Sequence, residues 1–194
     1  MIPAASITGI VLAGGHSTRF GSNKALAIWN EQTLLERSVE LIRPYCRDVL
    51  ISGDYPAYET LQCKKIPDLL PDLGPLGGIY TAFKHTDTPY LLFLTCDMPL
   101  MNRSLIERLI TDDPLKEVTL WQEIEGTLQL FPSLFSRNIL QWIEGKIRRK
   151  ELSIRSILSE VSFRLIPVRQ KDEKAFLNVN HAEDLNELIK YAPS

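Results

Sequence analysis

An open α/β fold, with a mostly parallel sheet between two layers of helices, is predicted by three observations. Strand-like and helix-like segments alternate up to Ile110 in the order β-α-β-β-α-β-α. Tyr90 to Cys96 is a nearly unbroken apolar run, the pattern of a central strand buried on both faces. Val118 to Trp121 and Thr127 to Phe131 flank Glu125-Gly126 and read as a hairpin, which places an antiparallel strand in the second half of the chain.

Each element has a local reason. Ile7 to Leu12 is a short buried strand that ends at Gly14-Gly15. Thr33 and Glu36 have capping-box spacing, Leu35, Val39 and Ile42 share one helical face, and Pro44 marks the end of that helix. Asp48 to Ser52 and Cys63 to Ile66 are short strands. Asp72 to Gly78 is rich enough in glycine to predict a turn, with a helix from Ile79 to Lys84. After Tyr90 to Cys96, Asn102 caps a helix through Ile110. The second half continues with helices over 133–143 and 153–158, a strand over 162–166 and a last helix over 182–190, for which Asn180 is the expected cap.

Bulk composition excludes several classes. The 194 residues are 44% hydrophobic and 24% charged, which suits one soluble domain spanning 1–194. A net charge of −2 carries no general attraction to nucleic acid or to an anionic membrane, so any anion site must be local. Cys46, Cys63 and Cys96 are widely spaced and form no C-x-x-C pair, as in a reducing compartment. Met1 to Ser6 is too short and uncharged for a signal peptide, and no apolar run approaches the ~20 residues that span a bilayer. These features point to the cytoplasm.

In open α/β sheets, ligands sit outside the carboxyl ends of the strands. Three polar features fall there: the glycine segment after the first strand, Asp68 after Ile66, and Asp97 after Cys96. In Gly14-Gly15-His16-Ser17-Thr18-Arg19-Phe20-Gly21-Ser22-Asn23-Lys24, glycines let backbone N–H groups approach an anion, and Arg19 and Lys24 neutralise it. The spacing matches neither G-x-G-x-x-G nor the P-loop; a tight turn with solvated cations is the competing reading. A carboxylate at the tip of a wholly apolar strand, as Asp97 is, suits a hard cation such as Mg²⁺; the alternative is a helix cap. From spacing alone Asp68 is a turn residue after Pro67, and Lys146-Ile147-Arg148-Arg149-Lys150 is a solvated charged loop whose minority reading is anion binding. The histidines lack metal-ligand spacing, and Cys96 reads as a small buried residue.

Taken together, Leu12-Ala13-Gly14-Gly15, Arg19-Phe20-Gly21, Lys24, Gly74-Pro75-Leu76-Gly77-Gly78, Cys96-Asp97-Met98-Pro99 and Asn178-Val179-Asn180 with Glu183-Asp184 resemble the molybdenum cofactor guanylyltransferase (MobA) family, within the NTP-transferase superfamily, over residues 7 to about 188. The resemblance implies a three-layer Rossmann-like nucleotidyltransferase fold. It also implies transfer of GMP from GTP to molybdenum-molybdopterin, with pyrophosphate leaving and Mg²⁺ as cofactor. Arg19, Lys24 and Asp97 then match catalytic positions, with Asp97 holding the metal. Leu12, Ala13, Gly14, Gly15, Lys24, Ser52, Asp68 and Asp97 match nucleotide-binding positions, and Asn178 and Asn180 match asparagines near the acceptor or metal; Gly78 and Arg148 are further acceptor-binding candidates, Arg148 from the charge of its run. Molybdoenzyme chaperones or an accessory GTP-binding protein are implied partners; nucleic acid and membrane are not. The chain departs from the family at Phe20 for a methionine, Asn23 for an aspartate, Ser52 for an asparagine and Leu130 for a proline. The alternatives are a cytidylyl or sugar-phosphate nucleotidyltransferase of the same superfamily, or a non-catalytic GTP- or cofactor-binding protein.

Overall fold

The computed structural model describes residues 1–14, 20, 23–53, 56–70, 73–111 and 116–191, apart from the side chains of 59, 60 and 189. In chain order the elements are β1 (Ile7–Leu12), a two-strand ribbon of β2 (Ile28–Trp29) and β3 (Gln32–Thr33), α1 (Leu34–Ile42), β4 (Asp48–Ser52), β5 (Lys64–Ile66), α2 (Gly74–His85), β6 (Tyr90–Thr95), α3 (Arg103–Leu109), β7 (Val118–Gln122), β8 (Leu128–Ser136), α4 (Leu140–Arg148), α5 (Ile154–Ile157), β9 (Phe163–Pro167) and α6 (Ala182–Leu188). Short 3₁₀ turns join them, among them Lys24–Leu26, Pro56–Thr60 and Gln170–Phe176.

Seven strands form one sheet in the order β5-β4-β1-β6-β8-β7-β9. β5, β4, β1 and β6 are mutually parallel, β8 runs antiparallel to both β6 and β7, and β9 is parallel to β7. The sheet is therefore mostly parallel with its antiparallel strand in the second half, as expected. One face carries Val11 and Leu94 against Leu35, Val39 and Ile42 of α1 and Leu105, Ile106 and Leu109 of α3. The opposite face carries Ile10, Leu91 and Phe93 against Ile79 and Phe83 of α2, Ile143 of α4 and Ile154 of α5. Alternation of side chains along β1 and β6 thus feeds two cores, giving three layers.

Several local expectations hold because the deciding chemistry is local. The Thr33 side chain accepts from Glu36 N, and Glu36 Oε2 accepts from Thr33 N at 2.8 Å, a complete capping box for α1. Asn102 Oδ1 accepts from Leu105 N and starts α3. Val118–Gln122 and Leu128–Ser136 pair as the predicted hairpin.

Four expectations are corrected. The glycine-rich stretch is not a turn followed by a helix at Ile79: α2 already begins at Gly74, whose φ is +56°, with Pro75 in its first turn. Gly77 and Gly78 lie inside that helix, buried where it presses on its neighbours. The helix expected over 133–143 begins at Leu140, because β8 continues through Ser133 to Ser136 to pair with Tyr90–Phe93 of β6. Lys146 and Arg148 belong to α4, not to a solvated loop, and Lys146 is buried, its Nζ 2.7 Å from Glu151 and 3.3 Å from Glu160. Finally, Asn180 does not cap the last helix with its side chain. Asp184 Oδ2 instead accepts from the backbone N–H groups of Asn180 and His181 at 2.7 and 2.8 Å.

The capping box makes a direct test of how far local chemistry supports α1. Thr33→Ala should destabilise the protein by about 1 kcal/mol, lowering Tm by about 2–4 °C in a thermal melt.

Candidate active site

The sheet order reverses at β1: the chain goes from β1 outward to β4 and β5, then returns to place β6 on the other side of β1. A crevice opens outside the carboxyl ends of strands at such a switch point. Ala13 and Gly14 follow β1 there, Ser52 and Gly53 end β4, Asp68 follows β5, and Asp97 follows β6.

The cation and the carboxylate meet across this crevice. Lys24 Nζ donates to Asp97 Oδ2 at 3.0 Å, with the two side chains only 18% and 20% exposed. Lys24 opens the 3₁₀ turn Lys24–Leu26, capped by Asn23, whose Oδ1 accepts from Ala25 N at 3.1 Å. The other carboxylate oxygen, Asp97 Oδ1, is buried and has no hydrogen-bond partner among the described residues. A buried carboxylate oxygen left bare is costly unless something positive reaches it. No group of three or more histidine, cysteine or acidic side chains gathers as a metal cage among the described residues. The bare Asp97 oxygen is the kind of donor that a hard cation such as Mg²⁺ takes, since that ion uses one or two carboxylates and completes its shell with phosphates and water.

A second group lies beside this pair. Ser52 is buried, and a Cβ built on Gly78 would stand 3.1 Å from Ser52 Oγ, 3.3 Å from Leu12 Cδ2 and 3.9 Å from Asp68 Oδ1. The absence of a side chain at Gly78 therefore lets α2 approach β1 and β4 closely and gathers Leu12, Ser52 and Asp68 around one point. Although Asp68 is exposed as a residue, partial desolvation of its carboxyl raises its pKa above the usual carboxylate value. Cys96 is buried, and that burial, with the adjacent Asp97 charge, pushes its thiol up to about 12, consistent with an inert packing residue.

The C-terminal asparagines come to the same end of the sheet. Val179 is fully buried beside Trp29, Leu34 and Leu188, and its N–H donates to Asp97 O at 2.8 Å. Its neighbours Asn178 and Asn180, both exposed, therefore flank the Asp97 loop. Arg148 is exposed on α4, and no hydrogen bond or ion pair joins it to the Lys24–Asp97 pair among the described residues. Gly78 sits with the Leu12, Ser52 and Asp68 group. Gly15 and Arg19 lie outside the described residues.

Sequence reasoning overlooked two residues here. Gly53 has φ +143°, and a Cβ on it would lie 3.1 Å from Gly14 N and 3.2 Å from Ala13 C, backbone atoms that cannot move aside cheaply. Its position directly after an apolar strand was the available signal. Tyr58 is 1% exposed, and its hydroxyl donates to Ala13 O at 3.1 Å; no pattern in the sequence singles it out.

Residues 9–165 match the family described as the MobA-like NTP transferase domain. A protein of Flavobacterium johnsoniae named "Probable molybdenum cofactor guanylyltransferase" is 32% identical over 184 residues, covering 94% of this chain and 96% of that one. The chain belongs to the MobA-like NTP transferase family. Solved structures show how widely its fold is shared. Molybdopterin-guanine dinucleotide biosynthesis protein A of Archaeoglobus fulgidus superposes with a TM-score of 0.79 at 20% identity, covering 95% of this chain and all of that one (100%). The 2-C-methyl-D-erythritol 4-phosphate cytidylyltransferase of Thermus thermophilus superposes with a TM-score of 0.70 at 15% identity, covering 94% and 98%. Architecture alone therefore does not distinguish guanylyl from cytidylyl transfer within this family's fold.

The raised Asp68 pKa gives a signed prediction. Because the folded-state value lies above the ordinary one, ionising Asp68 costs stability as pH rises through it. Asp68→Asn should leave stability at neutral pH unchanged or slightly raised and should remove this part of the pH dependence, read by thermal melts across the acidic to neutral range.

Proposed function

We propose that this protein is a molybdenum cofactor guanylyltransferase, moving GMP from GTP to the terminal phosphate of molybdenum-molybdopterin and releasing pyrophosphate. The observation that carries this reading is the Lys24–Asp97 pair at the switch point, with Asp97 Oδ1 buried and bare, in a chain of this family. Relatives named for guanylyl transfer support GTP as donor.

An acceptor phosphate is already anionic near neutral pH, so no strong general base is needed. The obstacles are repulsion between two anions and their alignment. An acceptor oxygen forms a bond to the α-phosphorus, and the bond from that phosphorus to the bridging oxygen breaks, its electron pair leaving with pyrophosphate. Bound at Asp97, Mg²⁺ would supply a positive centre for the phosphate charge. Lys24 offers its ammonium to the phosphates, and Arg19 and the N–H groups of Gly14 and Gly15 are proposed to serve them too. Leu12, Ala13, Ser52 and Asp68 are proposed to hold the guanosine end.

Asn178 and Asn180, flanking Asp97, and the exposed Arg148 are proposed to meet the acceptor. Gly78 is proposed to act by packing that brings α2 close enough for both substrates. Lys146 is given no anion-binding role, because Glu151 and Glu160 already neutralise it. No helix among the described residues is long and apolar enough to cross a membrane, and a cytoplasmic location is part of this proposal.

Two measurements test it. Asp97→Asn should cut turnover by on the order of 10²-fold or more while leaving the melting temperature nearly unchanged; near-wild-type activity in saturating Mg²⁺ overturns the metal assignment. With molybdopterin as acceptor, pyrophosphate release should be fastest with GTP. A preference for CTP or UTP would instead assign the chain to another branch of the superfamily, and no magnesium-dependent release with any of them would mark a non-catalytic binder.

A further inference from the structure

We infer that Tyr58 is a positioning residue for the nucleotide, a latch that joins the two ends of the glycine segment and sets Lys24 for the phosphates. The inference rests on the transferase reading above for its substrate, and on geometry for its mechanism.

Tyr58 lies on the 3₁₀ turn Pro56–Thr60 that follows β4, with its ring packed into the α1/α3 core. Its hydroxyl donates to Ala13 O at 3.1 Å, where the chain leaves β1. The same oxygen accepts from Asn23 Nδ2 at 3.0 Å, where the chain comes back to Lys24. Asn23 Oδ1 meanwhile accepts from Ala25 N and caps the turn that carries Lys24, whose Nζ reaches Asp97. One relay thus runs from Ala13 through Tyr58 and Asn23 to the Lys24 turn and on to the Asp97 carboxylate.

The direction of the relay depends on Asn23. The Tyr58 hydroxyl lies 3.1 Å from Ala13 O and 3.2 Å from Asn23 Oδ1, so the carbonyl and the neutral amide oxygen share its proton; a charged carboxylate at position 23 would draw that proton away from Ala13. Fixing both ends of a segment before the ligand arrives removes part of the ordering entropy that binding would otherwise cost. The benefit belongs to ground state and transition state alike, so it appears in affinity and not in the chemical step.

Tyr58→Phe removes only the hydroxyl and keeps the ring in the core. Asn23→Ser keeps a capping oxygen for Ala25 N but removes the amide donor. With the full-length enzyme, KM for GTP and the Kd of a fluorescent GTP analogue should each rise about tenfold in either variant, with kcat within about twofold of wild type. The double variant should be no worse than either single one, because both act through one relay. A variant that is merely less well folded would lose kcat at unchanged KM; that result, unchanged Kd, or additive effects overturn the latch. Titrating wild type with GTP, CTP and UTP separates this from the choice of base. If another triphosphate binds instead, the guanine reading fails and the latch is tested on that nucleotide; if none binds, both fail.

Discussion

Strand β1 is hydrogen-bonded in parallel on both sides, to β4 and to β6, and the site depends on that constraint. Parallel pairing in register sends the carboxyl ends of β4, β1 and β6 to one edge, opposite Ser52, Leu12 and Thr95 in neighbouring rows. The ladder even continues past the strands: Ala13 N donates to Ser52 O and Gly53 N to Ile66 O. Chain segments remote in sequence are thereby delivered to one crevice. Lys24 needs only a 3₁₀ turn to reach across to Asp97.

The site holds buried polar atoms without a partner among the described residues, as the core also does at Trp121 Nε1 and Ser133 Oγ. At the site these atoms are Asp97 Oδ1 and Thr95 Oγ1, and partial desolvation holds the Asp68 pKa above the usual carboxylate value. Each such group lowers the stability of the fold and raises the reward for a cation or a hydrogen-bonding ligand. The charges elsewhere are disposed oppositely. Lys146 is closed off by Glu151 and Glu160, and Arg108 pairs with Asp172 while its guanidinium lies over Trp121. These cations pack helices and a 3₁₀ turn against the sheet and leave little for an outside anion.

Much of the fold was legible because its causes are short-range. The capping box at Thr33 and Glu36, the Asn102 cap, the apolar run of β6 and the Glu125-Gly126 hairpin all rest on neighbours a few residues apart. The misread stretches are those where distant partners decide. Glycines at 77 and 78 looked like a turn but sit in α2, because a helix that must touch Leu73 on one side and Ser52 on the other has no room for side chains. β8 outlasts its hairpin because β6 offers it a second ladder.

By itself the sequence determined the strand and helix alternation, the polar residues at strand ends and, through its motifs, the family. Those follow from periodicity, capping chemistry and the residue types that phosphates and hard cations require. Only the tertiary structure decided that Lys24 pairs with Asp97, that Val179 hangs Asn178 and Asn180 on the Asp97 loop, that Lys146 is sequestered, and that Tyr58 ties Ala13 to Asn23. All but the Lys146 contacts, whose partners Glu151 and Glu160 follow within a short stretch, join segments separated by several elements. Their distance is set by sheet order and helix packing, which no local pattern encodes.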